Sequence, residues 1–277
     1  MSENPVPDQT LGLTARWTAG VRAKESLRED CLFYDPWAAV LAGKEGEEWV
    51  EHRSGDNGNS IALRTRFFDD FLLHTTSNPA TRQVVLMAAG LDTRAFRLTW
   101  PAQTRLFELD EPQVLEDKER VLTDAQAQPT CERKTIAADL TTPWRESLLK
   151  AGFDSSHPSV WLLEGLLFYM TQETVTRILE EITSLAMPGS WLGFDIINSA
   201  MLTSPWTQSW VESLARAGTP WIGTMDDPAA NLSALGWQAR LSQYGEEEAN
   251  YGRWLYPVMP RMLPDMPRTW LVTAHRN

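Results

Sequence analysis

A chain of 277 residues suits one large domain, or a core carrying a cap, rather than a string of modules. Hydrophobic residues at 43% and charged residues at 22% exclude a disordered chain. The 37 acids against 25 bases give a net charge of −12, which repels phosphate backbones and argues against nucleic acid as a partner.

The N-terminus, Met1–Gln9, is polar and contains proline, without the basic start or apolar stretch of a secretion signal. Thr14–Leu27 and Ile61–His74 carry apolar residues at three- and four-residue spacing and predict helices. Between them, Gly43–Asn59 is rich in Gly, Asn and charge and reads as a loop with a short helix. Cys31 and Cys131 are the two cysteines; with no CxxC pair and four scattered histidines, neither a disulfide framework nor a zinc ligand set is expected. A reduced, cytoplasmic protein without a metal follows from these features as an expectation.

At Gln83 the texture changes. Val84–Ala88 is a continuous apolar run ending at Gly90, as in a strand buried on both faces of a parallel sheet. Arg105–Leu109 ends in Asp110, the weaker run Lys134–Ala138 ends in Asp139, Val160–Leu163 ends in Glu164, and Trp191–Ile197 is a fifth run. Val160–Met170, the longest apolar stretch, is broken by Glu164 and is too short to span a bilayer, so no membrane partner is expected. Helical stretches, notably Pro112–Ala127 and Gln172–Ala186, alternate with the runs. The pattern predicts an α/β fold, a Rossmann-like doubly wound sheet with helices on both faces. Residues 199–228 hold Trp206, Trp210 and Trp221 with several Pro and Gly, and read as a lid between strands. Trp237–Tyr244 and Thr269–Ala274 predict an antiparallel pair at the sheet edge.

Ligands of such sheets sit beyond the carboxyl ends of the strands. Four runs here end in Gly90, Asp110, Asp139 and Glu164. A glycine after the first strand lets a ligand approach the backbone, and an acid after the second is placed to hold a ribose diol. Nicotinamide-dependent and S-adenosylmethionine (SAM)-dependent enzymes share these features. The first turn, Ala88-Ala89-Gly90-Leu91-Asp92-Thr93-Arg94, has a single glycine where the dinucleotide fingerprint G-x-G-x-x-G needs three, and Asp92 would face a pyrophosphate. The turn therefore fits a ligand without phosphate, such as SAM.

The chain resembles the leucine carboxyl methyltransferase family of class I SAM-dependent methyltransferases, and within it the bacterial polyketide O-methyltransferases. The resemblance is carried, in order, by Thr14–Ala19, Arg22–Ser26, Asp35–Ala38, Arg64–Asp70, Ala89–Ala95, Phe107–Pro112, Ala138–Leu140 and Glu164–Met170. It covers roughly residues 10–200 and fades beyond. It implies an N-terminal helical cap over residues 1–78, a SAM-binding core over 79–277 and a substrate lid around 199–230. One departure is Ala88, where the family usually places glycine, so that a methyl narrows the space beside the methionyl part of SAM.

The resemblance implies that Arg64 pairs with the SAM carboxylate, for which the guanidinium fork is suited; Arg66 is the weaker choice. Gly90 permits close approach and Asp92 orders its loop. Asp110, with Glu111 beside it, is expected at the ribose, against the alternative of a helix cap before Pro112; Glu108 is placed on the sheet's other side. Asp139 and Leu140 are expected at the adenine, against a capping role for Asp139. Glu164, costly in an apolar strand unless paired, is expected to bond the SAM ammonium or order Tyr169, against a structural ion pair. Tyr169 points to the substrate or packs in the core. Arg22 and Lys24 lie near the active site to receive a substrate acid, or else on a solvated helix face. His157, at the amino end of the fourth strand, is expected on the surface.

The expected activity is O-methylation of a small-molecule acceptor, a carboxylate or phenol of aromatic or polyketide type. Alternatives are methylation of a protein C-terminal carboxylate, an NAD-dependent oxidoreductase, or a SAM-binding protein without activity. A carboxylate, ionised at neutral pH, needs no general base, whereas a phenol with a pKa near 10 profits from one. No histidine lies in a matched segment, which favours the carboxylate. Finally, 13 tryptophans against 9 phenylalanines and 5 tyrosines point to aromatic walls, and an aromatic acceptor is expected between residues 10–40 and 200–225.

Overall fold

The computed structural model describes residues 8–52 and 58–277. Its centre is a seven-stranded sheet formed by β1 (Gln83–Met87), β2 (Arg105–Asp110), β3 (Glu132–Ala137), β4 (Ser159–Leu163), β5 (Trp191–Ile197), β6 (Trp237–Ser242) and β7 (Thr269–Arg276). The order across the sheet is β3-β2-β1-β4-β5-β7-β6. Strands β1 to β5 run parallel, and β7 is antiparallel to both β5 and β6. The order reverses between β1 and β4, and a crevice opens there beyond the strand ends.

The short apolar runs become strands because both faces are covered. Every residue of β1 and of β4 is buried. Alternation divides them between two cores. Val85, Met87, Phe107, Leu109, Trp161 and Leu163 pack with α7 (Gln172–Leu185). Val84, Leu86, Leu106, Val160 and Leu162 pack with Phe67, Phe68, Phe71 and Leu72 of α3 (Asn59–Thr76). A fully buried Leu or Phe contributes on the order of 2 kcal/mol, so this double cover is the main force holding the sheet. Helix α7 is started by Thr171, whose side chain accepts a hydrogen bond from Thr174 N–H.

At the N-terminus, α1 (Asp8–Ser26) lies against α2 (Ala38–His52). Glycine makes that approach possible: a Cβ on Gly46 would stand 2.4 Å from the Arg16 carbonyl oxygen. The short helix expected within Gly43–Asn59 is present as the second part of α2, which resumes after a kink at Gly43 (φ 57°) and runs to His52; the rest of the expected loop falls mainly on residues 53–57, outside the described part. Ala19, Leu41 and Ala42 join the same core as α3 and the strands.

The segment after β5 forms α8 (Ala200–Thr203) and α9 (Gln208–Arg216), and returns past the turn that follows β4. Ile222 N–H donates to the Phe168 carbonyl at 2.7 Å, and Met225 N–H to that of Ile197 at 2.8 Å. Helices α4 (Arg94–Arg97), α5 (Pro112–Asp124), α6 (Arg145–Lys150) and α10 (Pro228–Ala234) complete the layers. The expected antiparallel pair is present as β6 and β7. No helix among the described residues is long and apolar enough to cross a membrane.

Candidate active site

A cavity of about 900 Å³ opens beyond the carboxyl ends of β1, β2 and β4. All four expected strand-end residues, Gly90, Asp110, Asp139 and Glu164, line it. So do Arg64, Ala88, Asp92, Glu111, Leu140, Arg22 and Tyr169, with Pro220 and Ile222 from the segment after α9.

The turn after β1 brings bare main chain to the cavity. Ala88 and Gly90 both have left-handed backbone, with φ of 51° and 48°. Glycine adopts this freely, whereas alanine pays about 1 kcal/mol for it. Asp110 ties the turn to β2. Its Oδ2 accepts Gly90 N–H at 2.5 Å and its Oδ1 accepts Glu111 N–H at 2.7 Å. Burial pushes the Asp110 carboxyl above its ordinary value, opposed by those two amides. A carboxylate has about four lone-pair sites, so both oxygens keep acceptor capacity toward a diol. The expected face of Glu108 is corrected: two residues along a strand return to the same face, and Glu108 sits over α5, pairing with Lys118 at 2.7 Å and Arg133 at 2.8 Å.

Buried ion pairs support the cavity from below. Arg94, 3% exposed, binds Asp92, Asp69 Oδ1 at 2.7 Å and the Thr65 carbonyl at 3.2 Å. Arg97 forks onto Asp69 with contacts of 2.6 and 2.7 Å. Burial would raise the Asp92 carboxyl, but Arg94, with Lys118 and Arg97, outweighs it and holds the group at about 2. Glu164 lies between two arginines, with Oε1 2.9 Å from Arg64 Nε and Oε2 2.7 Å from Arg94 Nη2. Of the readings of Glu164, the ion pair is therefore the one visible in the geometry. Arg64, on α3, also donates through Nη1 to Asp195 of β5 at 2.9 Å.

Arg22 and Lys24 separate. Arg22 is 8% exposed; its Nε bonds Asp35 at 2.9 Å and its Nη2 bonds the Leu91 carbonyl at 2.6 Å, which fastens α1 to the turn after β1. Asp35 in turn accepts from the Thr93 hydroxyl at 2.6 Å. The solvated-face alternative is thus corrected for Arg22. Lys24 is exposed and is absent from the cavity wall. Two residues on a helix are about 200° apart, so only one of the pair can face the site. The expectation that Lys24 lies at the active site is corrected accordingly.

Asp139 orders its own turn, its Oδ1 accepting Thr141 N–H and the Thr141 hydroxyl, each at 2.7 Å, and it lines the cavity. Tyr169 lines it too, its ring edge-on to Phe168 at 4.8 Å. His157 is on the surface, bonded to Asp154 at 2.9 Å.

The tryptophan expectation is overturned, because no described tryptophan lines the cavity. Trp210 meets Trp221 edge-on at 6.3 Å, and Trp221 packs on Phe168 at 4.7 Å, behind the wall. Trp144 and Trp161 are fully buried. Sequence reasoning missed Asp195, Asp69 and Arg94. For Asp195 a signal existed: like Glu164, it is an acid inside an apolar run.

The family model of leucine carboxyl methyltransferase matches residues 15–183. A Mycolicibacterium smegmatis protein named as an S-adenosyl-L-methionine-dependent methyltransferase is 38% identical over 264 residues, covering 88% of this chain and 88% of its own. A Streptomyces coelicolor protein of the same description is 38% identical over 257 residues, with 87% of each chain covered. Among solved structures, a DUF574 family protein of Streptomyces avermitilis superposes with a TM-score of 0.62 at 15% identity, over 94% of this chain and 97% of that one. Magnesium protoporphyrin IX methyltransferase of Synechocystis, solved with bound S-adenosylhomocysteine (SAH), gives 0.51 at 10% identity, over 83% and 93%. These two likenesses show the fold. The residues present also fit SAM: an approachable main chain at Gly90, a carboxylate with spare capacity at Asp110, and no nest of glycine amides for a pyrophosphate. The chain belongs to the leucine carboxyl methyltransferase family and is an S-adenosyl-L-methionine-dependent methyltransferase.

Proposed function

We propose that the protein is an O-methyltransferase whose acceptor is a small-molecule carboxylate. The observation that carries this reading is Arg22. Its guanidinium lines the cavity, is held by Asp35 and Leu91, and leaves Nη1 outside both hydrogen bonds. A fixed, partly committed guanidinium matches the two oxygens of a carboxylate, whereas a phenol would still need a group to take its proton. Among the described residues no histidine lines the cavity. The cavity wall also includes Ile61, Leu86, Leu162, Tyr169 and Ile222, which suits the apolar body of such an acid. The polyketide class rests on the family resemblance alone.

Within this reading SAM lies across the strand ends. Asp110 takes the ribose, Asp139 and Leu140 the adenine, and Arg64 the carboxylate, while Glu164 stays in its ion pairs with Arg64 and Arg94. When bound, SAM supplies an electrophilic methyl group that an oxygen nucleophile takes by in-line displacement. The protein's own part is placement: Arg22 orients an already ionised acid, and the apolar wall excludes water from its reacting oxygen. Turnover on a panel of aromatic and aliphatic acids and phenols tests the reading. The expected product loses its new methyl group in dilute alkali, as an ester does. A product stable to alkali is an ether and overturns the carboxylate assignment.

A further inference from the structure

We infer that Asp195 is a positioning residue for cofactor binding: with the bare backbone of Gly165, it sets the guanidinium of Arg64 to receive the cofactor's carboxylate. This rests on the reading above that Arg64 takes that carboxylate.

Asp195 stands in the middle of β5, 1% exposed, between Phe194 and Ile196. An ionised carboxylate there is costly unless both oxygens are used. Both are. Oδ1 accepts Gly165 N–H at 2.6 Å, and Oδ2 accepts Arg64 Nη1 at 2.9 Å. Glu164 Oε1 takes Arg64 Nε at 2.9 Å. Two nitrogens of the guanidinium are thus fixed by one acid of β5 and one from the turn after β4, and Nη2 is the one that bonds neither.

Gly165 explains how close the group lies. Its φ is 72°, and a Cβ there would stand 3.2 Å from Nη2 and 3.4 Å from Nη1. The guanidinium therefore rests against glycine backbone. Two donors, Gly165 N–H and Arg64 Nη1–H, converge on one side chain, which only a carboxylate can serve with two acceptor oxygens. The amide is tied to the turn after β4, so a misfitted side chain at 195 displaces the guanidinium instead.

The test separates geometry from charge by keeping the charge. Affinities for S-adenosylhomocysteine and for methylthioadenosine, the same nucleoside without its amino-acid part, are measured by calorimetry on the full chain. Variants are Asp195→Glu, Gly165→Ala and Arg64→Met. In Asp195→Glu, SAH binding is expected to weaken about tenfold, the scale of one charge-assisted hydrogen bond, while methylthioadenosine stays within about twofold. Should Asp195→Glu fail to fold, Gly165→Ala decides, with the same selective loss expected. If Arg64→Met keeps the full preference for SAH, the assignment of Arg64 itself falls. If Arg64→Met loses that preference while the positioning variants retain it, the role of Asp195 is overturned and Arg64 stands. Equal weakening of both ligands also overturns it, since Asp195 would then support the fold at large.

Discussion

The two halves of the cavity are held by different forces. On the side proposed for the cofactor, Arg64, Arg94 and Arg97 interlock with Asp69, Asp92, Glu164 and Asp195 beneath the strand ends. On the far side, the segment after α9 is held by Trp210, Trp221 and Phe168, with hydrogen bonds onto the Phe168 carbonyl. Paired charges in a dry site tolerate few geometries, because every unpaired alternative is expensive. Aromatic packing is less directional and tolerates exchange. The family match runs to residue 183 and so covers most of the first half, and of the second only Phe168 and its neighbours in the turn after β4. A fixed cofactor needs the first kind of wall, and a wall that can be re-shaped for different acceptors needs the second.

The comparison breaks most sharply at Arg94. Arg94→Met leaves Asp92 without its main partner and strips one from Asp69 and Glu164. The expected loss is about 3–5 kcal/mol, as for other broken buried ion pairs, read from urea unfolding. A loss under about 1 kcal/mol would show that the network does not hold this half.

Acid should find the same network. The folded Asp92 carboxyl sits at about 2, below its ordinary 3.8. A depressed acid contributes stability that is present above the unfolded value and is lost as pH falls through the folded one. Roughly 2 kcal/mol should therefore disappear between about pH 4 and pH 2, and Asp92→Asn should flatten that part of the stability profile. An unchanged profile in the variant contradicts the assignment.

The smallest effect belongs to the aromatic side. Trp210→Phe keeps an aromatic ring against Trp221 and should cost under about 1 kcal/mol while leaving SAH affinity unchanged. A larger cost, or a weakened cofactor, would mean that the two halves are coupled and not independently held.

Much of the site could be read from the chain. Gly90, Asp110, Asp139 and Glu164 each end an apolar run, and parallel strands converge at their carboxyl ends, so local pattern was enough to gather them. Arg22 and Lys24 were not separable without the phase of α1 relative to the sheet. Asp195 was invisible as a partner of Arg64 because 131 positions separate them. The tryptophans misled for a related reason: composition counts indoles but cannot say which side of a wall they occupy. β7 likewise ends up between β5 and β6, an order that adjacency in sequence does not reveal.

By itself the sequence determined the alternation of buried strands and helices, the single-glycine turn that rejects a pyrophosphate, and the acids at the strand ends. These depend on periodicity and on residues next to one another. Only the tertiary structure decided which charges pair, which way Arg64 points, and that no described indole lines the cavity. Those outcomes depend on long-range contacts, where burial makes each charge choose its partner from whatever the fold brings within reach.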